Sequence, residues 1–497
     1  MQQNKLRNNS ELLSKLGLYT TVAIVVGAVV GSGIFRKPAL MASQLGSPEL
    51  LLAIWVGAGI ITLFGALTNS EVAGMITKTG GQYIYFQKMY GEFVAYLYGW
   101  AIFAVIQTGS IASITYVFAE YTEYFFVLPR FSPEIEKSVE LYIPFIGSIY
   151  PLYDFGVKSL TILVIILLSG VNYLGVVFGG ALARFFTTAK ILAILVLVIF
   201  GFAYGEGSFS NFTEETSYFA NTGKGIMIGI IAALSGAFWS YDGWNNITYI
   251  AGEVKEPQRN IPKSLFLGTI IVIVVYVLIN LSFMYVMPIE EMALSKLVAS
   301  DVANYSMGAI GGGFVAAAVM ISTFGTSNGT IMVSARVYYA MSNRGMFFNT
   351  IGRVHPRFRT PHNALLLQCF WTCVLVLSGT FDILTDMLIF ISWIFYALGA
   401  YGVFVLRKKM PNTERPYKVW GYPWVPAIFV IFAAFFVILT LYEDISSYIS
   451  GDKYMIDSVF GIFLCALGIP LYLYFKHKQK NNKIEDENNT GSWNKIN

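Results

Sequence analysis

Three places in this 497-residue chain set polar or flexible residues inside otherwise apolar sequence, where they could do chemistry. The stretch LYTTVAIVVGAVVGSGIFRKPALMA holds Gly27, Gly31, Ser32 and Gly33 near its middle. A second, IAALSGAFWSYDGWNNITYIAGEVKEPQRNIP, holds Gly236 and then Tyr241-Asp242-Gly243-Trp244-Asn245-Asn246. The third, ARFFTTAKILAILVLVIF, contains Lys190 about eight residues in. Glycine costs a helix interior about 1 kcal/mol relative to alanine, and lipid offers no partner to a freed amide. Clustered glycines at mid-depth fit an unwound segment facing a cavity, or close helix packing, since Gly27 and Gly31 have GxxxG spacing.

The second stretch shifts that balance towards unwinding. An Asp at the bilayer centre costs about 2.5–3.5 kcal/mol on insertion scales, and less where the helix opens. In an opened helix Asp242 stands either to cap the following half, accepting from amides two or three residues on, or to touch a ligand directly. The two interruptions fall five spans apart, the mark of an inverted five-plus-five repeat, which brings both to the midplane. Amides exposed at a half-helix N-terminus attract a carboxylate, and freed carbonyls attract an ammonium. Such a site suits a small zwitterion.

The elements that must position these residues are membrane spans. Hydrophobic residues make up 56% of the chain and charged residues 12%, and the mean hydropathy is +0.60. A soluble enzyme, a nucleic-acid binder and a disordered scaffold are all poor readings of that composition. Length and flanking charge predict twelve transmembrane helices, near 18–42, 48–77, 92–125, 156–174, 182–205, 224–251, 263–288, 306–340, 362–380, 383–406, 422–441 and 455–475. They divide into a polar segment 1–17, which is not a cleaved signal peptide, and a twelve-helix domain 18–475. Within that domain repeat one covers about 18–205, repeat two about 224–406, and the last two helices about 422–475. A polar tail, 476–497, is expected to be disordered.

With the N-terminus cytoplasmic, roughly 70% of Lys and Arg fall on the cytoplasmic side, and an even number of spans returns the C-terminus there. The chain is then a multi-pass protein of the cell membrane. Cys369, Cys373 and Cys465 all lie in apolar runs, and His355, His362 and His477 form no ligand cluster, so neither a metal site nor a cofactor is implied. A membrane-embedded enzyme would need a catalytic constellation at depth, and Glu71, Glu120 and Asp242 are too scattered to make one.

The residues also resemble a family. GSGIF at 31–35 after IVVGAVV is similar to the first-helix motif of the amino acid–polyamine–organocation superfamily. YDGWNN at 241–246 followed by GEVKEPQRNIPKSL, STFGTSNGTIMVSARVYYAMSNRG at 322–345 and ERPYKVWGYPWVPAIF at 414–429 resemble its L-type amino acid transporters. GSP at 46–48, NSEVAG around Glu71, TGGQYIYF at 79–86 and Thr360-Pro361 agree, so the likeness runs over about 15–475.

The resemblance implies an all-α integral membrane protein of LeuT-like 5+5 inverted-repeat fold, with helices 1 and 6 broken. It maps the substrate carboxylate to the amides of Gly31, Ser32 and Gly33, and the ammonium to the carbonyls of Val29 and Trp239. It makes Trp239 an aromatic gate, unless that ring is simply packed, with Ser240, Tyr241 and Gly243 completing the substrate-binding stretch. It gives Lys190 the place of a sodium ion between helices one, five and eight, beside Ser322, Thr323 and Gly325. The alternative for Lys190 is a snorkelling anchor; taken out of water it is also a candidate proton carrier.

Heavy-chain-linked animal members have a cysteine between spans three and four; residues 121–155 here have none, so no disulfide-linked ancillary subunit is implied. Arg36-Lys37 also departs from many relatives, and stands either in the outer vestibule or against an acid. The expected activity is sodium-independent exchange of neutral amino acids by alternating access. The alternatives are proton-coupled symport on the same fold and an amino-acid-sensing membrane receptor.

Overall fold

In lipid a helix satisfies its own backbone hydrogen bonds, and apolar side chains can then face outward at no cost. The structure, a computed structural model, describes residues 16–78, 80–175, 179–213 and 226–493. The polar segment before Leu16 and Thr79 of the TGGQYIYF run lie outside the described residues.

The first apolar stretch forms two helices, α1 (Leu18–Val29) and α2 (Gly33–Leu45). Then come α3 (Pro48–Met75), α4 (Gln82–Tyr90) and α5 (Glu92–Thr122), the last with a π-helical turn at Ile102–Ile106. A short helix, α6 (Pro133–Glu136), precedes an antiparallel hairpin, β1 (Leu141–Ile143) and β2 (Gly147–Ile149), paired Leu141 to Ile149. That hairpin is an addition to the all-helical expectation. Three-residue strands outside an apolar run leave little period-two pattern to read.

Next are α7 (Phe155–Leu174), α8 (Gly179–Phe202) and α9 (Ile226–Tyr241), and the last continues after an interruption as a 3₁₀ segment, Trp244–Glu253. They are followed by α10 (Pro257–Val286), α11 (Ile289–Leu294), α12 (Val298–Asn343), α13 (His362–Ser378), α14 (Phe381–Lys409), α15 (Trp424–Ile449), α16 (Asp457–Ala466) and α17 (Gly468–Trp493). Among the described residues ten helical runs, some joining two of these elements, are long and apolar enough to cross a membrane, and two shorter apolar ones, Phe186–Phe202 and His362–Ser378, accompany them.

Several boundaries differ from expectation, and two of them have a readable reason. The span predicted from 306 begins at Val298 and turns at Gly308, whose φ of 71° only glycine adopts freely. The tail after Phe475, expected to be disordered, continues as helical backbone to Trp493. Lys and Gln at 476–480 have good helix propensity, so a helix leaving the apolar layer need not stop there.

One apolar core runs through the bundle and includes residues of α1, α2, α5, α9, α10, α12 and α14. α10 packs along α3 and α1, α9 along α2, and α12 along α5 and α8. Both interruptions lie inside this packing, with Val30–Gly33 buried at the first and Gly243–Asn245 at the second.

Candidate binding site between two broken helices

α1 closes its last turn where the Val30 amide donates to the Val26 carbonyl, and the Gly31 amide then bends back to Val29 at 2.8 Å. α2 starts at Gly33 with Ser32 as its N-cap, and no side chain caps it. Apart from the Phe35 amide, which donates to the Ser32 carbonyl at 3.2 Å, the amides at the start of α2 therefore have no intrahelical acceptor. The buried Ser32 hydroxyl is also unpartnered.

α9 ends as the Asp242 amide donates to the Trp239 carbonyl at 3.1 Å. Gly243 then takes φ 93°, a left-handed conformation that lets the chain restart as a 3₁₀ segment, with the Asn246 amide on the Gly243 carbonyl. The two breaks touch. A Cβ on Gly33 would lie 2.6 Å from Ser240 Cα, and one on Gly243 3.1 Å from the Ala28 carbonyl oxygen.

Between them is a cavity walled by Ala28, Val29 and Gly31–Gly33 on one side and Trp239, Asp242, Gly243 and Asn246 on the other. Gln107, Ser110 and Ile114 of α5 and Thr330 of α12 close it. A water-sized sphere can centre itself in only ≈ 20 Å³ of it, about one water molecule's worth. A larger ligand requires the breaks to part.

Lys190 reaches the first break from α8. Its Nζ donates to the carbonyls of Gly27 at 2.9 Å and Val30 at 2.7 Å, and to Thr326 Oγ1 at 2.8 Å. The residue is 3% exposed, so it is not snorkelling. It places positive charge on the last carbonyls of α1, at the negative end of that helix. Tyr276 of α10 completes the junction: its hydroxyl is 2.9 Å from the Val29 carbonyl and 2.8 Å from that of Ser240, and its one proton serves one of them at a time.

A profile of the family described as "Amino acid permease" matches residues 16–465. The chain belongs to the amino acid permease family. This permease is 29% identical to the serine/threonine exchanger SteT of Bacillus subtilis (strain 168) over 478 residues, 94% of its own length and 98% of that protein's. It is 31% identical to the human b(0,+)-type amino acid transporter 1 over 422 residues, 84% and 81% of the two chains. Against the mouse large neutral amino acids transporter small subunit 2 the figure is 29% over 482 residues, 94% and 83%. The permease is thus a multi-pass membrane protein that transports amino acids, a family of carriers and not of enzymes.

Several expected site residues stand elsewhere. Ser322 and Thr323 are not the hydroxyls on Lys190; that is Thr326, one turn further along α12, which in turn donates to the Ser322 carbonyl at 2.9 Å. Thr323 bonds back to Val319, and Gly325 is packed against Phe186. Tyr241 turns away from the cavity and donates to the Trp55 carbonyl at 3.0 Å. Ser240 lies against Gly33 with both its Cα and its side chain, and its hydroxyl bonds back to Gly236.

Asp242 is not the N-cap of the restarted segment, because Gly243 occupies that position. Its carboxylate instead accepts from the Tyr396 hydroxyl at 2.6 Å. Of the two expected ammonium acceptors, the Val29 carbonyl already has the Gly31 amide and faces the Tyr276 hydroxyl, whereas Trp239's accepts only the Asp242 amide and keeps a lone pair. Gly31, Ser32, Gly33, Trp239 and Gly243 do line the cavity.

Gln107, Ser110, Thr330 and Tyr276 were not singled out from sequence, whereas Asn246 was one of the polar residues read at the second break. The signal available was the polarity of QTGSIAS inside an otherwise apolar span. The Gln107 amide donates to Asn246 Oδ1 at 3.4 Å, joining α5 to the second break.

Proposed function

We propose that this permease is a sodium-independent exchanger of small neutral amino acids that works by alternating access. One observation carries the reading: the N-terminal amides of α2 and the interrupted end of α9 face one cavity, and a lysine ammonium is bound to the end of α1. A substrate carboxylate would take the first-turn amides near Ser32 and Gly33, and the substrate ammonium the remaining lone pair of the Trp239 carbonyl. Lys190 supplies a fixed positive charge where a bound cation would otherwise have to neutralise freed carbonyls, so no sodium gradient need enter the cycle.

The tight closure around the site and its polar wall of Gln107, Ser110 and Asn246 favour small side chains over bulky ones. The names of the relatives, which include an exchanger and two further amino acid transporters, support the same class. We read the twelve apolar segments as a LeuT-like inverted repeat in which broken helices 1 and 6 are equivalent, with both termini cytoplasmic as the Lys/Arg bias indicates.

Counterflow in proteoliposomes tests this. Uptake of labelled small neutral amino acid should require unlabelled amino acid inside and be the same in sodium and choline. Uptake into empty vesicles driven by an imposed pH gradient would mean proton symport instead. Saturable binding without any uptake would make the protein a receptor.

A further inference from the structure

A second cavity, lined by residues of α2, α9, α14 and α15, shares no lining residue with the one between the breaks. A water-sized sphere can centre itself in ≈ 340 Å³ of it, against ≈ 20 Å³ at the breaks. Its lining has two kinds of chemistry. Leu40 of α2 and Ile228, Ile231 and Ala232 of α9 are apolar. Asp386 of α14, Glu443 and Asp444 of α15, and Lys453 from the segment after α15 are charged.

The charged part is out of balance. Lys453 Nζ donates to Asp444 at 2.7 Å and to Asp457 of α16 at 3.1 Å, and stands 3.7 Å from Asp386 and 3.8 Å from Glu443. One ammonium therefore faces four carboxylates. Lys37 of α2, the other lysine that acts on Asp386, is bonded to Asp382 at 2.8 Å. The Asp444 and Asp457 side chains are each 2% exposed, so water does little to offset the excess negative charge.

The imbalance leaves acceptors at the cavity. One oxygen of Asp386 takes the Ser235 hydroxyl at 3.0 Å, and one of Glu443 takes that of Ser447 at 2.8 Å. The second oxygen of each meets Lys453 only beyond hydrogen-bond distance. Thr440, one helical turn before Asp444, also lines the cavity and is 4% exposed. Its hydroxyl has no hydrogen-bond partner among the described residues, a cost that a donor in the cavity would remove.

We propose that this cavity is a binding site for a small organic ammonium ion with a short alkyl body. The charge would sit on Asp386, Glu443 and Thr440, and the chain against the apolar residues of α2 and α9. A zwitterion suits it less, because its carboxylate would find only Lys453, which four acids already share. A metal ion suits it less as well: among the described residues no group of three His, Cys, Asp or Glu is arranged to hold one, and a bare ion would leave the apolar lining uncovered.

Equilibrium binding of radiolabelled n-butylammonium to the detergent-purified full chain tests this, with n-butanol and butyrate as neutral and anionic competitors of the same shape. Saturable binding that neither competitor displaces is expected. Glu443→Gln should weaken it about tenfold, as loss of a charge-assisted hydrogen bond would, and Thr440→Val about threefold. Ala232→Phe, which fills the apolar side and touches no charge, should weaken it more than tenfold. Melting of the unliganded variants checks that each is folded. Excess serine, placed in the other cavity by the exchange reading, should leave the affinity unchanged.

Parent-like affinity in both Glu443→Gln and Ala232→Phe overturns the proposal. So does displacement by butanol, or by sodium at the concentration of the amine, which would mark a merely apolar or an inorganic-cation site. Competition by serine together with parent-like binding in the variants would place the amine between the breaks and overturn it too. If one variant does not fold, the other and Thr440→Val decide. Failure of exchange in the counterflow assay would leave these affinities as they are.

Discussion

The two breaks solve the same problem in different ways. At the first, between α1 and α2, the freed carbonyls are satisfied from other helices, by Lys190 from α8 and Tyr276 from α10. At the second, after α9, the chain relies mainly on its own backbone, through the left-handed Gly243 and the bonds at Asp242 and Asn246, while Tyr396, Tyr276 and Gln107 each add one contact from another helix. A self-satisfied break keeps its shape when its neighbours move. One whose partners sit on other helices can feel their displacement and transmit its own. The first break is therefore the more sensitive element.

The largest effect should come where the breaks touch. Gly33→Ala sets a Cβ 2.6 Å from Ser240 Cα, a backbone atom that cannot rotate away. Exchange in the counterflow assay should fall by about 100-fold or more, since overpacking of this kind costs about 1–3 kcal/mol and also forces the cavity apart. Parent-like exchange would mean that the two breaks do not meet in the working protein.

Lys190→Met should come next, lowering exchange about 50-fold by leaving the Gly27 and Val30 carbonyls buried without their donor. Thermal melting should move less than exchange, because the loss is greatest in states that need α1 held in place. Equal losses in both would mark Lys190 as ordinary structural glue.

The second break should yield less to the same treatment. Tyr396→Phe removes the only side-chain hydroxyl on Asp242 and should cost about tenfold in exchange, a charge-assisted bond's worth. An effect larger than that of Lys190→Met would invert the comparison and make the second break the dependent one. Thr326→Val is smaller still. It takes one of three acceptors from Lys190 and keeps the shape, so about a three- to fivefold fall is expected.

What could be read from sequence divides along the same line. Clustered glycines, and a carboxylate beside carboxamides inside apolar sequence, report local backbone trouble, and both interruptions fall within the stretches that carry them. Lys190 was legible because an isolated charge in a span must find oxygen somewhere. Its hydroxyl partner was not, because Ser322, Thr323 and Thr326 differ only by helical phase, which packing sets. Tyr276 was invisible for a related reason: a tyrosine in an apolar run looks like any packed aromatic until the two carbonyls it faces are known. Tyr241 shows the converse, a motif residue whose side chain belongs to the Trp55–Tyr276 cluster and not to the cavity. The lining residues Gln107, Ser110 and Thr330 come from helices that run past the cavity without a break, and the π-helical turn that ends at Ile106, just before Gln107, leaves no glycine or proline in the sequence to mark it.

Gly31→Ala should have the smallest effect, and it separates two reasons for a glycine at a break. Gly31 lines the cavity as Gly33 does, yet a Cβ there meets nothing nearer than Thr326 Cγ2 and the Val29 carbonyl, both at 3.8 Å, an ordinary contact. Its φ is not among the positive ones, so alanine carries no backbone penalty in the closed state. If glycine is present at 31 only to weaken the helix, alanine should leave exchange within about twofold and slightly raise the melting temperature through the unfolded chain. If a ligand approaches the Gly31 backbone closely, the apparent affinity for amino acid should fall while melting stays unchanged. A split between KM and melting at Gly31, set against joint loss at Gly33, would distinguish the residue that meets substrate from the one that lets the two halves of the site meet each other.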